Sequence, residues 1–332
     1  MPELPEVETV VRDLRRKVVG RTITAVWTDW PKMIKDIEKQ SRLHVSDKAV
    51  AHFKEHIVGR VIECVERRAK NILIYLSGDH LMLVHQKMTG HFLVGKWEIK
   101  DSKAVGISPR AIVDDPFNRY VHLIFDLSPR LSPSSLSSRS RGISSRAPVV
   151  EIPRLRDDER PIQLGLSDVR KFAKVLFGRR KDIESLPELA RLGPDALDPK
   201  LTLVQLALIV LSEGRPIKQV LMDPFVIAGI GNIYSDDILW RARVYPKRSA
   251  KKLSSKEVGA IHKAMREVLT KAVKLRGTST SDFRDTDGKE GGYTEHRLVY
   301  QRTGKPCSRC KTPIGRMMIA GRSAHFCPTC QR

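Results

Sequence analysis

Aromatic side chains are scarce in this sequence, and long apolar runs are absent. Phe, Trp and Tyr make up 6% of the 332 residues, which argues against a protein that binds single-stranded bases mainly by stacking. No apolar run reaches the roughly 18 residues that a transmembrane helix needs, so none is predicted. The opening residues MPELPEVETV are acidic and lack the apolar core of a secretory signal, so we expect no such signal.

Acidic residues are also few relative to basic ones. The sequence has 60 Lys and Arg against 38 Asp and Glu, a formal net charge of +22. This excess predicts a polyanionic partner, either nucleic acid or an anionic membrane. Hydrophobic residues make up 41% of the chain, so a sizeable core is possible, and the length suggests two domains with room for a small third module.

Cysteine is rare, but four of the five cysteines are grouped near the C-terminus. They form two C-x2-C pairs separated by 16 residues, and the turn Ala320-Gly-Arg322 between the pairs predicts a β-hairpin. This spacing suits a tetrahedral Zn²⁺ site with no open position, so the metal would be structural. Two disulfides are the alternative, although nothing suggests an oxidising compartment. The predicted ligands are Cys307, Cys310, Cys327 and Cys330.

Apolar periodicity divides the rest of the chain into an N-terminal β-rich part and a helical part. A helix over residues 3–19 is followed by strand-like runs that favour a two-layer sandwich. A Ser/Arg/Pro-rich stretch, about residues 128–160, is predicted to be a disordered surface insertion. The strand-like runs are residues 22–27, 58–66, 71–76, 80–85, 91–94 and 120–127, and order is expected to resume at 162–166 and 168–177.

A segment with three prolines, residues 186–200, is typical of an interdomain connector. The helices predicted after it include two that open on capping boxes. Between the second and the third lies Gly229-Ile-Gly-Asn232, a tight turn whose free N–H groups favour an anion in a helix–two-turn–helix arrangement. These helices span residues 202–213, 217–223, 232–243 and 254–276.

Five motifs, in order, resemble the bacterial formamidopyrimidine-DNA glycosylase family across nearly the whole chain apart from residues 128–160. They are Met1-Pro-Glu-Leu-Pro-Glu-Val-Glu8, Arg67-Arg-Ala-Lys70, His85-Gln-Lys-Met88-Thr-Gly90, Gly229-Ile-Gly-Asn232-Ile-Tyr and the four-cysteine hairpin. The resemblance implies an α+β multidomain fold: an N-terminal β-sandwich flanked by helices, a helical helix–two-turn–helix domain and a C-terminal β-hairpin zinc finger. We expect these at residues 1–185, 201–290 and 294–332, with 186–200 as the linker.

The same resemblance implies a bifunctional glycosylase and AP lyase of base-excision repair that excises oxidised purines such as 8-oxoguanine and formamidopyrimidines. Pro2, freed by removal of Met1, would attack the sugar C1′ through its secondary amine, and the resulting iminium would drive β,δ-elimination. Glu3 would be the general acid at the sugar ring oxygen. Glu6 would position groups beside it, with a helix-dipole role as the alternative.

Further residues match the family's DNA-binding positions. By resemblance, Lys70 holds the phosphate next to the lesion, and Lys218, Asn232 and Arg322 clamp phosphates from the other side. Such clamping suits a base that is flipped out of the duplex.

The resemblance also assigns residues to the space that a flipped base leaves and to the lesion itself. Met88, Arg170 and Phe172 would fill the space, and a lesion loop with Thr278, Ser279 and Tyr293 would enclose the base. Asp168-Val-Arg-Lys-Phe-Ala173 departs from the family's usual Asp-Pro-Arg-Arg-Phe-Gly, which bears on the lesion spectrum and on the base preferred opposite it.

The expected partner is damaged double-stranded DNA, with one structural Zn²⁺, no organic cofactor and no membrane contact. We expect a monomer in the bacterial cytoplasm, associated with the nucleoid. Two alternatives stay open. One is an endonuclease VIII-like glycosylase for oxidised pyrimidines, although such enzymes usually open with Pro-Glu-Gly-Pro where this chain has Pro2-Glu-Leu-Pro5. The other is a non-catalytic zinc DNA-binding protein, which would not need Pro2, Glu3 and Lys70 together.

Overall fold

The computed structural model describes residues 2–37, 47–130, 160–280 and 282–332. The predicted insertion at about 128–160 therefore lies almost entirely outside the described residues, as does Met1.

The N-terminal half forms two five-stranded sheets, which confirms the predicted sandwich. One sheet has the strand order β1-β8-β9-β6-β7 and the other β2-β10-β5-β4-β3. Every pairing within them is antiparallel except that of β2 with β10. The strands are β1 (Ile23–Thr28), β2 (Ile34–Asp36), β3 (Ile62–Arg68), β4 (Asn71–Leu76), β5 (His80–His85), β6 (His91–Lys100), β7 (Lys103–Ser108), β8 (Val121–Leu127), β9 (Ile162–Ser167) and β10 (Lys174–Arg179).

The helices flank these sheets and then form a domain of their own. Those of the first half are α1 (Leu4–Lys17), α2 (Asp47–Ile57), α3 (Arg110–Asp114), α4 (Arg180–Glu184) and α5 (Pro187–Ala190). Those of the second half are α6 (Leu203–Leu211), α7 (Ile217–Met222), α8 (Asn232–Ala242) and α9 (Ser255–Lys274). Short 3-10 turns lie at Pro31–Met33, Pro116–Arg119, Ala250–Lys252 and Tyr293–His296.

Both predicted capping boxes are present and explain where two helices begin. The Thr202 hydroxyl accepts from the Gln205 amide at 3.2 Å before α6, and the Ser254 hydroxyl accepts from the Glu257 amide at 3.3 Å before α9. In each case the side chain of the third helical residue accepts a hydrogen bond from the backbone amide of the capping residue in return. Two amide donors are thereby satisfied at each helix start.

Helix α1 belongs to two hydrophobic cores at once. Its first residue, Leu4, is fully buried in the core of the helical domain. Val7, Val10 and Leu14 are fully buried between the two sheets. The N-terminal turn of α1 is therefore fixed at the junction of the two domains, and the residues before it, Pro2 and Glu3, are buried there.

The C-terminal module is a two-stranded hairpin of β11 (Gly315–Ile319) and β12 (Arg322–Phe326). It confirms the predicted hairpin and packs against Trp240 of α8 through Cys307 and Cys327. In the part of the chain that the structure describes, no helix is both long enough and apolar enough to cross a bilayer. The predicted domain boundaries stay predictions. Leu4, near the start of the chain, lies in the core of the second domain, so the cores do not divide at a single point of the sequence.

Candidate active site

The site is built around the N-terminus of α8. The glycine turn before this helix leaves its first amides free, and the Glu3 carboxylate occupies the position that they face. Gly231 N donates to Glu3 Oε2 at 2.8 Å, and Ile233 N donates to Oε1 at 2.9 Å. The backbone amides at a helix start lack partners within the helix, so they are suited to bind the oxygens of such a side chain.

The glycine at the turn is required by this close approach. A Cβ on Gly231 would lie 2.3 Å from Glu3 Cδ, so no larger residue fits while Glu3 stays in place. The backbone of the next residue along α1 is also tied to the turn, since Leu4 N donates to Gly229 O at 3.0 Å. Pro2 is thereby held beside the start of α8, as the first residue of a fixed segment.

Glu6 is a second buried carboxyl at the same junction. The Tyr234 hydroxyl donates to Glu6 Oε1 at 2.5 Å, and the Thr278 amide donates to the same oxygen at 2.6 Å. Glu6 Oε2 accepts from the Glu3 amide at 2.8 Å. Burial, together with the nearby Glu3 carboxylate, raises the pKa of Glu6 from 4.5 to about 7.

Lys70 lies in the turn between β3 and β4 and directs its charge toward this junction. Burial lowers the pKa of its ammonium. The carboxylates of Glu3 and Glu6 raise this pKa, whereas the positive charge of Arg322 lowers it further. Charges on α1 and on the zinc hairpin therefore act on the lysine of the β3–β4 turn.

The turn that carries Lys70 is anchored to the connector between the domains. Arg67 Nη1 bonds Asp195 Oδ2 at 2.5 Å, and the Ala69 amide donates to the same oxygen at 3.1 Å. Ala69 itself has φ 57°, a left-handed conformation that costs a residue with a Cβ about 1 kcal/mol or more. Asp195 thus supports a strained turn at the site.

Arg322 and Asn232 are available to a ligand to different degrees. Arg322 is exposed at the start of β12, at the hairpin tip. Asn232 is partly buried as the first residue of α8, and its Oδ1 has no hydrogen-bond partner among the described residues. Its predicted role in binding a phosphate stays a prediction.

Lys218 is placed differently from what a simple surface clamp requires. Its side chain is 1% exposed, and its ammonium is paired with Asp236 and lies 3.3 Å from the Ser235 hydroxyl. The other Asp236 oxygen accepts from both the amide and Nδ1 of His325 in β12, each at 2.9 Å. Lys218 therefore links α7, α8 and the zinc hairpin, and a role as phosphate ligand stays a prediction.

The three predicted void-filling residues share one rim of the sandwich. Strand register places Asn71 and Lys174 on either side of His85, so the turns that carry Lys70, Met88 and Phe172 leave the sheet at one edge. Met88 is 37% exposed and Phe172 52% exposed, so both side chains are accessible to a partner at this rim.

The two loops of this rim are tied to each other. The Thr89 hydroxyl bonds the Asp168 carboxylate, which also accepts from Ala173 N at 2.7 Å. The Arg170 amide donates to the Thr89 hydroxyl at 3.1 Å, and its guanidinium stacks over Phe172 at 4.7 Å. The rim is a preformed group of an apolar side chain, an aromatic ring and a cation.

The predicted lesion loop is buried and joined to the catalytic junction at one end. Thr278 is 3% exposed, and its hydroxyl lies 2.9 Å from the Tyr234 hydroxyl. The Ser279 hydroxyl donates to Phe283 O at 2.6 Å within the loop. Tyr293 is 1% exposed in the core of the helical domain, where its hydroxyl donates to Asp237 Oδ2 at 3.0 Å. Direct contact of Tyr293 with a base stays a prediction that this burial does not favour.

The four C-terminal cysteines converge as predicted, with their sulfur atoms all within 4.8 Å of one another. Cys310 and Cys327 Sγ lie 3.4 Å apart, and Cys307 and Cys330 Sγ lie 4.0 Å apart. A tetrahedral Zn²⁺ with Zn–S bonds of about 2.3 Å requires S–S separations near about 3.8 Å. The sulfurs fit one structural zinc. The fifth cysteine, Cys64, lies elsewhere, half-buried on β3.

Sequence reasoning missed several residues that hold this site together. Asp195, Tyr234, Asp168 and Asp236 each bond to two different parts of the chain, but the sequence assigned none of them a role, although Tyr234 and Asp168 lie within the motifs described above. One signal was available, because an Asp side chain often accepts a hydrogen bond from the backbone amide two residues later and so forms an Asx turn. The Asp168–Arg170 pair forms such a turn, with 3.2 Å between Oδ1 and the amide.

Family models match three successive parts of the chain. The model described as the formamidopyrimidine-DNA glycosylase N-terminal domain matches residues 1–141. The one described as the formamidopyrimidine-DNA glycosylase H2TH domain matches residues 192–284. A model described as a zinc finger found in FPG and IleRS matches residues 304–332.

Similar proteins cover the whole chain. A formamidopyrimidine-DNA glycosylase of Herpetosiphon aurantiacus is 34% identical over 332 residues, 100% of both chains. Another, of Chloroflexus aggregans, is 35% identical over 332 residues and covered to 98%. The MutM (Fpg) structure of Thermus thermophilus has a TM-score of 0.73 at 32% identity, covering 99% of this chain and 98% of its own. An Fpg of Lactococcus lactis in complex with abasic-site DNA has a TM-score of 0.75 at 25% identity, with both chains fully covered. The chain therefore belongs to the formamidopyrimidine-DNA glycosylase family.

Proposed function

We propose that this protein is a bifunctional DNA glycosylase and AP lyase of base-excision repair that excises oxidised purines, 8-oxoguanine and formamidopyrimidines among them. The observation that carries the proposal is the placement of Pro2 and Glu3. The residue after the N-terminal amine is a carboxylate held by the free amides of Gly231 and Ile233, within the field of Lys70. This arrangement supports a site in which Pro2 is the nucleophile, Glu3 the acid and Lys70 the cation.

Pro2 is the proposed nucleophile. Once Met1 is removed, its secondary amine forms a bond to C1′ of the damaged nucleotide, and the bond from C1′ to the base breaks, releasing the base with a proton. Glu3 gives a proton to the sugar ring oxygen, which opens the ring and leaves an iminium between the Pro2 nitrogen and C1′. The positive nitrogen then accepts electrons.

The iminium explains strand cleavage. Loss of a C2′ proton expels the 3′-phosphate by β-elimination, and a second proton loss expels the 5′-phosphate by δ-elimination. Water finally hydrolyses the iminium and frees Pro2. Glu6, whose pKa of about 7 lets it hold a proton near neutral pH, keeps the pair of buried acids from carrying two negative charges beside the reacting sugar.

The remaining site residues act on the DNA. Lys70 and Arg322 bind the phosphates that flank the flipped nucleotide, from the sandwich and from the zinc hairpin. Asn232 adds its side chain at the start of α8, and Lys218 acts from beneath it. Met88, Arg170 and Phe172 enter the gap left in the base stack. Thr278 and Ser279 shape the base pocket, with Tyr293 supporting them from the core.

The substrate is damaged double-stranded DNA, and a single chain supplies every group of the site, which suits a monomer. One structural zinc holds the hairpin that carries Arg322. Chromosomal DNA as substrate places the protein in the bacterial cytoplasm at the nucleoid.

Borohydride trapping tests the proposal. Borohydride reduces an iminium to a stable amine and so links the enzyme covalently to a duplex with one 8-oxoguanine opposite cytosine. We expect an adduct with the parent protein, none with Pro2→Gly, and a normal amount with the control Pro31→Gly, which changes a proline on another turn.

Two results would change the proposed function. An adduct formed only with a dihydrouracil duplex would assign the protein to the endonuclease VIII-like enzymes of oxidised pyrimidines. Binding to the 8-oxoguanine duplex without any adduct would indicate a non-catalytic DNA-binding protein.

A further inference from the structure

Helix α6 has an apolar face that lies in the open. Of its nine residues, Leu206 and Val210 are fully buried in the core of the helical domain. On another face, Val204 is 69% exposed and Leu208 71% exposed. No side chain in the described ranges covers them, so a partner that buried them would be stabilised by the hydrophobic effect.

This face is the floor of a shallow groove of about 390 Å³. The spacing of its side chains along α6 follows a helical stripe of about two turns. Five of its six lining residues lie on α6, so the apolar floor runs along that helix and accommodates one side of a second helix. Its lining residues are Leu203, Val204, Ala207, Leu208, Leu211 and Ser255.

The rim of the groove is positively charged. The turn Ala250–Lys252 packs beside α6, and Lys251, Lys252 and Lys256 are all exposed. No carboxylate in the described part of the chain pairs with these three lysines. The acids beside them are already engaged, since Glu213 bonds Arg215 at 2.8 Å and Glu257 is paired with Arg248.

The groove is separate from the candidate active site. Helix α6 packs on α9 and on Ala250–Lys252, whereas the site is formed by the starts of α1 and α8, the β3–β4 turn and β12. An occupant of the groove would therefore leave the DNA-binding residues accessible.

We propose that this groove docks an amphipathic helix of another protein, with aliphatic side chains along one face and acidic side chains bordering that face. The apolar floor requires the aliphatic face, and the unpaired lysines require the acidic side chains. A second copy of this chain fits poorly, because its own lysines would oppose these lysines. Nucleic acid fits poorly as well, because the floor offers neither cations nor aromatic rings.

A synthetic peptide tests this proposal. The probe is a fluorescein-labelled helical peptide with leucines on one face and glutamates on both flanks, and its binding to the full protein is followed by fluorescence anisotropy. We expect saturable binding that weakens as salt rises, and at least tenfold weaker binding by the double variant Val204→Ser, Leu208→Ser. The matched control, Ile107→Ser, removes a side chain of 45% exposure on β7 and should bind as the parent does.

Several outcomes would overturn the proposal. These are no binding, equal binding by the double variant, or equal binding of a peptide with lysines in place of the glutamates. Binding to vesicles of anionic lipid, without binding to the peptide, would make the face a membrane contact instead. Self-association of the parent that the double variant loses would make it an interface between two copies. Trapping with 8-oxoguanine DNA should be unchanged in every variant, which confirms that each has folded.

Discussion

At the scale of single residues, the two buried glutamates of α1 differ because their surroundings differ. Glu3 accepts from the free amides of Gly231 and Ile233 at the start of α8. Glu6 lies behind it, away from solvent and close to the charge of Glu3, and its pKa rises to about 7. Two residues of one type, three positions apart, thus serve different purposes.

The raised pKa of Glu6 predicts how stability depends on pH. The folded state holds a proton on Glu6 up to about pH 7, while the unfolded chain releases it near 4.5. The free energy of unfolding should therefore fall as pH rises between these values. Relative to Glu6→Gln, we expect the parent to lose about 2–3 kcal/mol from about pH 5 to about pH 8 in urea titrations.

The exposed Glu63 provides the control for this series. Glu63→Gln should keep the pH trend of the parent. A Glu6→Gln protein with the same trend as the parent would show that another group is responsible.

Residues named from motifs were easier to anticipate than the residues that support them. The sequence placed Glu3, Lys70 and Arg322 in separate motifs, and the structure brings their charges together. Asp195 and Tyr234 could not be identified, because their partners lie 126 and 228 positions away along the chain. Such pairings depend on the relative placement of domains, which local periodicity does not encode.

At the scale of elements, the turn before α8 determines where the acid lies. Gly231 has φ −131° and ψ −155°, an extended conformation open to any residue, so its size rather than its flexibility is what matters. A side chain at this position would displace the Glu3 carboxylate.

Gly231→Ala should therefore reduce activity more than stability. We expect a loss of about 100-fold in single-turnover cleavage, since small displacements of a catalytic group have effects of this size. Crowding should lower the free energy of unfolding by about 1–3 kcal/mol. The control is Gly214→Ala, because a Cβ at Gly214 meets nothing within 4 Å. Full cleavage by Gly231→Ala would disprove the proposed role of Glu3.

The position of the hairpin of β11 and β12 should depend on the metal bound by its four cysteines. Trp240 of α8 donates to Cys307 Sγ at 3.4 Å, so the cysteine cluster also joins the hairpin to the helical domain. A zinc-stripping chelator should therefore abolish tight binding to duplex DNA, measured by anisotropy, and added Zn²⁺ should restore it. Cys64→Ser should respond identically, since Cys64 lies outside the cluster. Tight binding by metal-free protein would refute the dependence on zinc.

Other elements show where periodicity succeeds and where it fails. The near-continuous apolar strands β4 and β5 match the predicted ranges 71–76 and 80–85. Helix α2 and strands β2 and β7 were missed, and β6 runs six residues past the predicted end at Val94. Strand β7 has only exposed and half-buried side chains at the edge of its sheet, so its sequence lacks an apolar pattern.

At the scale of the whole molecule, the catalytic end of α1 is fixed by both domains. Leu4 lies in one core and Val7 in the other, and the β3–β4 turn is bound to the connector through Asp195. The chain as a whole carries a net charge of +22, which suits the binding of a polyanion.

This charge predicts a strong dependence of DNA affinity on salt. About six phosphate contacts would give a log–log slope near about −5 for undamaged duplex. Filter binding or anisotropy between about 50 and 200 mM salt measures this slope. A slope shallower than about −2 would be inconsistent with clamping from two domains.

The central claim, that the Pro2 amine forms the covalent bond, is tested most directly by locating that bond. The adduct trapped by borohydride on 8-oxoguanine DNA is digested with nuclease and trypsin, and its peptides are sequenced by mass spectrometry. The account predicts the sugar remnant on the N-terminal peptide, at the Pro2 nitrogen. A remnant on Lys70, or on any other lysine, would contradict it.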